Sequence, residues 1–384
     1  MIDLNNLYQK MEQYDDYVIF GASEIGWLIK DEIGEYCDSN GKKVCFADNS
    51  YKKWDKSKSI ISLKAASESF RNALWIIASD LHNQAMFDNL TSLGVKEKDI
   101  IKYPPHDILV KRWESERLRR LNPQKELSLL DVDIARHCNL NCAGCNVFSP
   151  LVDEAIFTDR AIFSSDMERL SSLLHANLAT LEIMGGEPLL NPQVDTYLHI
   201  ARNYFVSADI CLVTNGLLLM EMPEGFWKAC RENAISIQVT RYLTGYNYNN
   251  LRELAHSYGV KFDFFGISVD KTSWNIALDP SGKQDATESF CNCYYANKCA
   301  RLNNGKLATC PVILNIDYFN SKFGTEMRTC SDDYIDIYKA KNENDILDFL
   351  CSPVPFCRFC DVKNRTYDNP WRISSCSIDE WVMK

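Results

Sequence analysis

Apolar residues in this chain fall in short runs, and the charged stretches between them follow a helical period. Tyr17-Val18-Ile19-Phe20 reads as a short buried strand. It runs into Gly21-Ala22-Ser23-Glu24-Ile25-Gly26 and then a helix to about Tyr36. Val44-Cys45-Phe46-Ala47-Asp48 is a second strand, and Leu74-Trp75-Ile76-Ile77-Ala78-Ser79 a later one. Strand, turn, helix, strand is the order of a parallel sheet, so residues 1–102 are expected to form a small α/β domain. Residues 103–127 read as a linker: Tyr103-Pro104-Pro105 breaks the chain, and a charged helix over 107–121 carries Arg112, Arg117, Arg119 and Arg120. From Leu127 strand and helix alternate. Strands are expected at 129–135, 179–184, 208–213, 235–239 and 260–265, and helices near 160–175, 193–204, 223–232 and 247–258. This pattern predicts a parallel sheet covered by helices over 128–270, with about six β/α units. The alternation is lost over 271–384.

Composition narrows the class. The 384 residues suffice for two or three domains. A net charge of −10 and a pI near 5.2 argue against a nucleic-acid partner and against a basic membrane-binding face. No apolar run is long enough to span a bilayer and no leader of the secretory type is seen, so a cytoplasmic protein is expected. Sixteen cysteines then read as thiols and metal ligands, not as a disulfide frame. Only Cys37 and Cys45 precede residue 138, and nine follow residue 290, a bias that points to a second metal site.

Three of the cysteines, Cys138, Cys142 and Cys145, stand at C-x3-C-x2-C in Arg136-His137-Cys138-Asn139-Leu140-Asn141-Cys142-Ala143-Gly144-Cys145. Three thiolates this close can wrap one soft metal centre and leave a position open for chemistry. A zinc knuckle completed by His137, or three unrelated core cysteines, would also give this spacing. The strand at 179–184 runs into Gly185-Gly186-Glu187-Pro188, and the strand at 208–213 into Thr214-Asn215-Gly216. Cysteine triad, Gly-Gly-Glu-Pro and Thr-Asn-Gly, each at the C-terminal end of a strand, together resemble the radical S-adenosylmethionine (SAM) superfamily over residues 125–270.

The resemblance implies a partial (β/α)6 barrel with its site residues where strands end. It implies that Cys138, Cys142 and Cys145 hold a [4Fe-4S] cluster whose fourth iron binds SAM. Gly185, Gly186, Glu187 and Pro188 would then receive the amino group of SAM, and Thr214, Asn215, Gln238 and Arg241 its ribose or carboxylate. The family usually has an aromatic residue just before the third cysteine, packed on adenine. Gly144 stands there in this chain, and Phe148 is the nearest aromatic candidate. An external one-electron donor of flavodoxin or ferredoxin type is implied as well.

Cys293, Cys310-Pro311, Cys357 and Cys360 resemble the shortened "twitch" form of the SPASM extension, which holds one auxiliary [4Fe-4S] cluster. Cys291 is a possible substitute for Cys293, and Cys299 a weaker one. A four-cysteine zinc ribbon has compatible spacing. A small cysteine-rich domain over 271–384 is therefore expected, stapled by metal.

The turn at Gly21 resembles the dinucleotide fingerprint, with Asp48 at the distance of a ribose-binding acid. Its middle glycine is Ser23, which speaks against NAD. A Rossmann-like module in front of the barrel leans towards a small polar substrate: a sugar, an aminocyclitol or a nucleotide-linked compound. The radical step would serve oxidation or, with a thiol such as Cys291, Cys299, Cys330, Cys351 or Cys376 returning hydrogen, epimerisation. Modification of a ribosomal peptide is the alternative, and a non-catalytic cluster-binding scaffold a more distant one.

Overall fold

The computed structural model describes residues 3–49, 53–55, 57, 59–70, 72–79, 83–102, 104–105, 107–109, 111–112, 123, 125–265, 272–273, 276–365 and 369–382. All counts below refer to these. Most of the charged helix expected over 107–121 lies outside them. Contacts divide the chain into two compact units, 1–118 with 264–267 and 119–263 with 268–384. The barrel and the cysteine-rich segment thus share one unit.

In the first unit the strands β1 (Asp16–Phe20), β2 (Lys43–Asp48), β3 (Ile60–Ser62), β4 (Ala73–Ile77) and β5 (Ile100–Ile101) form a parallel sheet in the order β3-β2-β1-β4-β5. β1 and β4 are apolar on both faces because helices cover both sides, as parallel sheets require. Helix α1 (Leu4–Met11) precedes the sheet, α2 (Glu24–Ser39) follows β1, and α3 (Leu63–Ser69) and α4 (Asn83–Ser92) follow β3 and β4. Ser23 caps α2 by accepting from the Gly26 amide.

The second unit is built on most of a sheet of eight strands. In chain order these are β6 (Leu129–Ala135), β7 (Thr180–Gly185), β8 (Asp209–Thr214), β9 (Ser236–Thr240) and β10 (Phe262–Phe265). A two-stranded ribbon, β11 (Thr272–Ser273) with β15 (Asn369–Pro370), lies apart. Next come β12 (Cys299–Asn303), β13 (Lys306–Ala308) and β14 (Ile335–Asp336), and the sheet order is β10-β9-β8-β7-β6-β12-β13-β14. Helices α5 (Arg160–Leu173), α6 (Val194–Tyr204), α7 (Glu224–Glu232) and α8 (Leu251–Ser257) alternate with the first five strands. Later helices are α9 (Ala286–Cys291), α10 (Pro311–Phe323) and α11 (Glu343–Leu350).

The expected strands and helices over 129–265 are all present. What sequence pattern does not reveal is β12, which pairs in parallel with β6. The first barrel strand is therefore interior to the sheet, and β12 supplies a further parallel strand from the segment where alternation had stopped.

Candidate functional site

Alternation along β6 sends Leu130, Val132 and Ile134 outward under the helices, all buried. Asp131 and Asp133 face the other way, into the barrel. Glu182 and Met184 on β7 sit beside them in register, followed by Cys211 on β8 and Gln238 on β9. Arg301 on β12 is level with Asp131. Its guanidinium donates to Asp131 Oδ2 at 2.9 Å and to Asp133. Arg136 bonds the same Asp133 and donates to Asn315 Oδ1 at 3.0 Å. The inner wall is thus polar and charged. Glu182, beside Asp131, is pushed up to about 8 by burial and by that neighbouring carboxylate. Glu182, Met184 and Gln238 are only half-buried, so the wall borders open space.

A bulge between Asp133 and Ala135 ends β6 and turns the chain into the cysteine loop. The Gly-Gly-Glu-Pro turn holds the start of that loop. Gly186 N donates to Ala135 O at 2.8 Å and Glu187 N to His137 O at 3.0 Å. A Cβ on Gly185 would lie 2.1 Å from Ala135 O, and one on Gly186 2.1 Å from His137 O, so no larger residue fits this approach. Glu187 is fully buried. It accepts from Thr214 Oγ1 at 2.6 Å, Leu189 N at 3.0 Å and Asn215 N at 2.9 Å. Burial pushes its carboxyl up to about 7, against the pull of these donors. Its work is to tie the Gly-Gly-Glu-Pro turn to the Thr-Asn-Gly turn, and Pro188 opens a short 3-10 turn beside it.

Asn215 carries this framework to the cysteines. Its Nδ2 donates to Asn139 Oδ1 at 2.7 Å and lies 3.9 Å from Cys138 Sγ, which also accepts from Leu140 N at 3.4 Å. Burial pushes the Cys138 thiol up to about 12. A thiolate buried this way calls for a cation beside it, which is what a metal supplies. His137 is turned away: its Nδ1 faces Ile156 N at 3.2 Å and its ring meets Phe157 edge-on.

Arg241, one residue past β9, is 9% exposed. Tyr242 follows it, with its hydroxyl in the field of Cys142, Cys138 and Cys145 together. Neither the spacing of the cysteines nor the strand pattern singles out Tyr242. Phe148 has a different place from the one expected. Its ring is fully buried, 5.5 Å from Phe319 and 6.0 Å from Trp381, as part of the core. Its burial serves packing, and the ring is closed off from any ligand.

The second cysteine set converges. Cys293, Cys310, Cys357 and Cys360 line one cavity with Phe356 and Val362. Cys310 stands at the N-terminus of α10, whose first residue is Pro311. Burial, then Cys293, pushes the Cys310 thiol up to about 12, and Arg365, buried nearby, pulls the other way. Cys357 and Cys360 are raised by burial and by the same neighbours. Cys299 lies elsewhere, its thiol donating to Asp131 Oδ2 at 3.2 Å inside the barrel. Among the described residues no three Cys, His, Asp or Glu side chains close on a point as the ligands of a single ion do.

In the first unit, Asp48 Oδ2 accepts from Ala22 N at 2.8 Å. The acid that would reach a ribose instead caps the turn that would cradle a pyrophosphate.

An α/β barrel with three cysteines leaving its first strand and a glycine turn leaving the next defines a class of SAM-dependent iron–sulfur proteins. Comparison with curated proteins finds relatives for part of the chain. The GTP 3′,8-cyclase of Clostridium acetobutylicum is 27% identical over 106 residues, 27% of this chain and 32% of that protein. The GTP 3′,8-cyclase of Helicobacter pylori (strain HPAG1) is 28% identical over 105 residues. The chain thus matches about a third of the length of these relatives. No family model matches it. Among solved structures, BtrN in complex with AdoMet and 2-DOIA is 20% identical, covering 62% of this chain and 93% of that one at a TM-score of 0.40. SuiB of Streptococcus suis bound to S-adenosylmethionine is 13% identical, covering 70% and 76% at 0.30. The chain resembles the radical SAM superfamily in its cysteine triad and its Gly-Gly-Glu-Pro and Thr-Asn-Gly turns. Among the described residues no helix is long and apolar enough to cross a membrane.

Proposed function

We propose that this chain is a radical SAM enzyme that oxidises a small polar substrate, with Cys138, Cys142 and Cys145 holding a [4Fe-4S] cluster and Cys293, Cys310, Cys357 and Cys360 an auxiliary one. When bound, the first cluster supplies the electron that cleaves SAM to methionine and a 5′-deoxyadenosyl radical, which removes a hydrogen atom from the substrate. A carbinol carbon so activated loses a proton from oxygen and one electron to give a carbonyl. The auxiliary cluster is the acceptor for that electron.

The observation that carries this reading is the meeting of four cysteines from three separate segments around one buried cavity, in the same compact unit as the triad. Zinc there would have no redox use. The polar inner wall supports the substrate class: the half-buried Glu182 and Gln238 offer polar atoms that an apolar ligand would leave unmatched. The name of the curated relatives makes a nucleotide one member of that class. Gly185 and Gly186 position the loop, while Thr214, Asn215, Gln238 and Arg241 remain the candidates for contact with SAM.

Anaerobic iron and sulfide counting tests the assignment. About eight irons are expected per chain, falling to about four in a Cys138/Cys142/Cys145 triple alanine variant. A colourless chain loaded with zinc would overturn it. For the reaction, one SAM consumed per product with no solvent deuterium in it marks oxidation. Deuterium at an inverted carbon would mark epimerisation instead.

A further inference from the structure

The cysteine loop is not held by the barrel alone. Residues 371–382 run alongside it. Ala143 N donates to Arg372 O at 3.0 Å, and Ser374 N to Asn141 O at 2.8 Å, with a bridge between Cys142 and Ile373. Trp381 Nε1 donates to Cys145 O at 2.9 Å. Glu380 fastens the segment to itself, accepting from Arg372 Nη1 at 2.7 Å and from Ser375 N and Oγ at 2.8 Å.

This places Trp371, next to Arg372, at the edge of the site. Its ring centroid is 5.5 Å from that of Tyr242, at an interplanar angle of 56°. The Tyr242 hydroxyl in turn lies in the field of the three thiols and bonds that of Cys142. The two rings form an aromatic wall beside a loop that has no aromatic side chain of its own between its second and third cysteines, where Ala143 and Gly144 stand. The Trp371 indole nitrogen is buried and has no hydrogen-bond partner among the described residues. A buried donor of this kind costs free energy unless something accepts from it.

We infer that Trp371 is a SAM-binding residue: its ring, with Tyr242, packs on the adenine, and its indole N–H donates to an adenine nitrogen. Adenine suits the place. It is planar, stacks on aromatic faces and carries ring acceptors, and it must lie near the sulfonium that the open iron receives. The inference rests on the first site being a SAM-binding cluster, as proposed above. It adds that residues 371–382, which lie outside the barrel, complete that site.

The test uses the anaerobically reconstituted full chain, with SAM affinity read from its perturbation of the reduced-cluster EPR signal. Iron content is counted in each sample. Trp371→Phe keeps a ring and removes the donor, Trp371→Ala removes both, and Val206→Ala changes an exposed residue away from the site. Full iron is expected in all three variants. Affinity for SAM should fall roughly three- to tenfold in Trp371→Phe and further in Trp371→Ala, with Val206→Ala unchanged. Wild-type affinity in iron-replete Trp371→Phe overturns the donor role, and wild-type affinity in iron-replete Trp371→Ala overturns the inference. If Trp371→Ala loses iron, Trp371→Phe decides alone. A wild-type chain whose cluster ignores SAM sinks the functional reading first.

Discussion

Trp381 donates its indole hydrogen to the carbonyl of Cys145 at 2.9 Å, across 236 residues of sequence. The same side chain is fully buried against Phe148, Phe319 and Phe323. It therefore joins the last cysteine of the triad to the core that also contains Cys310, Cys357 and Cys360. Trp381→Phe should cost about 1 kcal/mol of stability and speed loss of the first cluster to a chelator while the second stays. Trp381→Ala leaves a cavity and should cost about 3–5 kcal/mol. Denaturant unfolding and timed iron release check both.

Arg301 is the counter-charge for two carboxylates inside the barrel. With it gone, Asp131 and Asp133 are buried with much less compensation. Arg301→Met should destabilise by about 3–5 kcal/mol, the cost of breaking a buried pair from one side. A midpoint of unfolding unchanged from wild type would show that the network is not holding β12 against β6.

Glu187 gives the fold a pH dependence of definite sign. Burial raises its carboxyl to about 7 in the folded chain, against about 4.3 when unfolded. Between these values the folded state holds more protons than the unfolded one. Stability from this group is then full below the lower value and is lost as pH rises through the upper one, by up to about 4 kcal/mol. Glu187→Gln should show a flatter profile between pH 5 and 8. Unfolding midpoints across that range measure it.

Cys357 lies in the second set and outside the first. Cys357→Ala should lower iron from about eight to about four per chain and still permit 5′-deoxyadenosine to form, while substrate oxidation stops. Normal oxidation without the second cluster would remove its role as electron acceptor.

Asp48→Ala in the first unit should cost about 1–3 kcal/mol by leaving the Ala22 amide without its acceptor. Wild type and the variant alike should leave NADH fluorescence unperturbed, because the carboxylate is already engaged by the turn.

Much of the barrel was legible because its strands and helices follow local periods, and β6 to β9 begin within a residue of where the apolar runs place them. The cysteine sets were legible as spacings. What spacing cannot convey is which partner a polar group takes. Glu187 looked like a ligand-facing acid and is a buried tie between two turns. Phe148 was the nearest aromatic candidate in sequence, yet its ring is buried in the core, while the Tyr242 hydroxyl lies in the field of the three thiols. Spacing favoured Cys293, with Cys291 as a substitute and Cys299 a weaker one, and the fold turns Cys293 into the cavity and Cys299 into the barrel. β12 was missed because a strand of five residues, four of them paired with partners 170 positions earlier, leaves no periodic trace.

The pairing of β12 with β6 has a temporal side. A ribosome makes residues 129–145 long before 299–303, and the bonds to Asn141, Ala143 and Cys145 wait for residues 372–381. The ligand loop is translated early and locked late, so metal loading should follow synthesis of nearly all of this sequence instead of accompanying emergence of the triad.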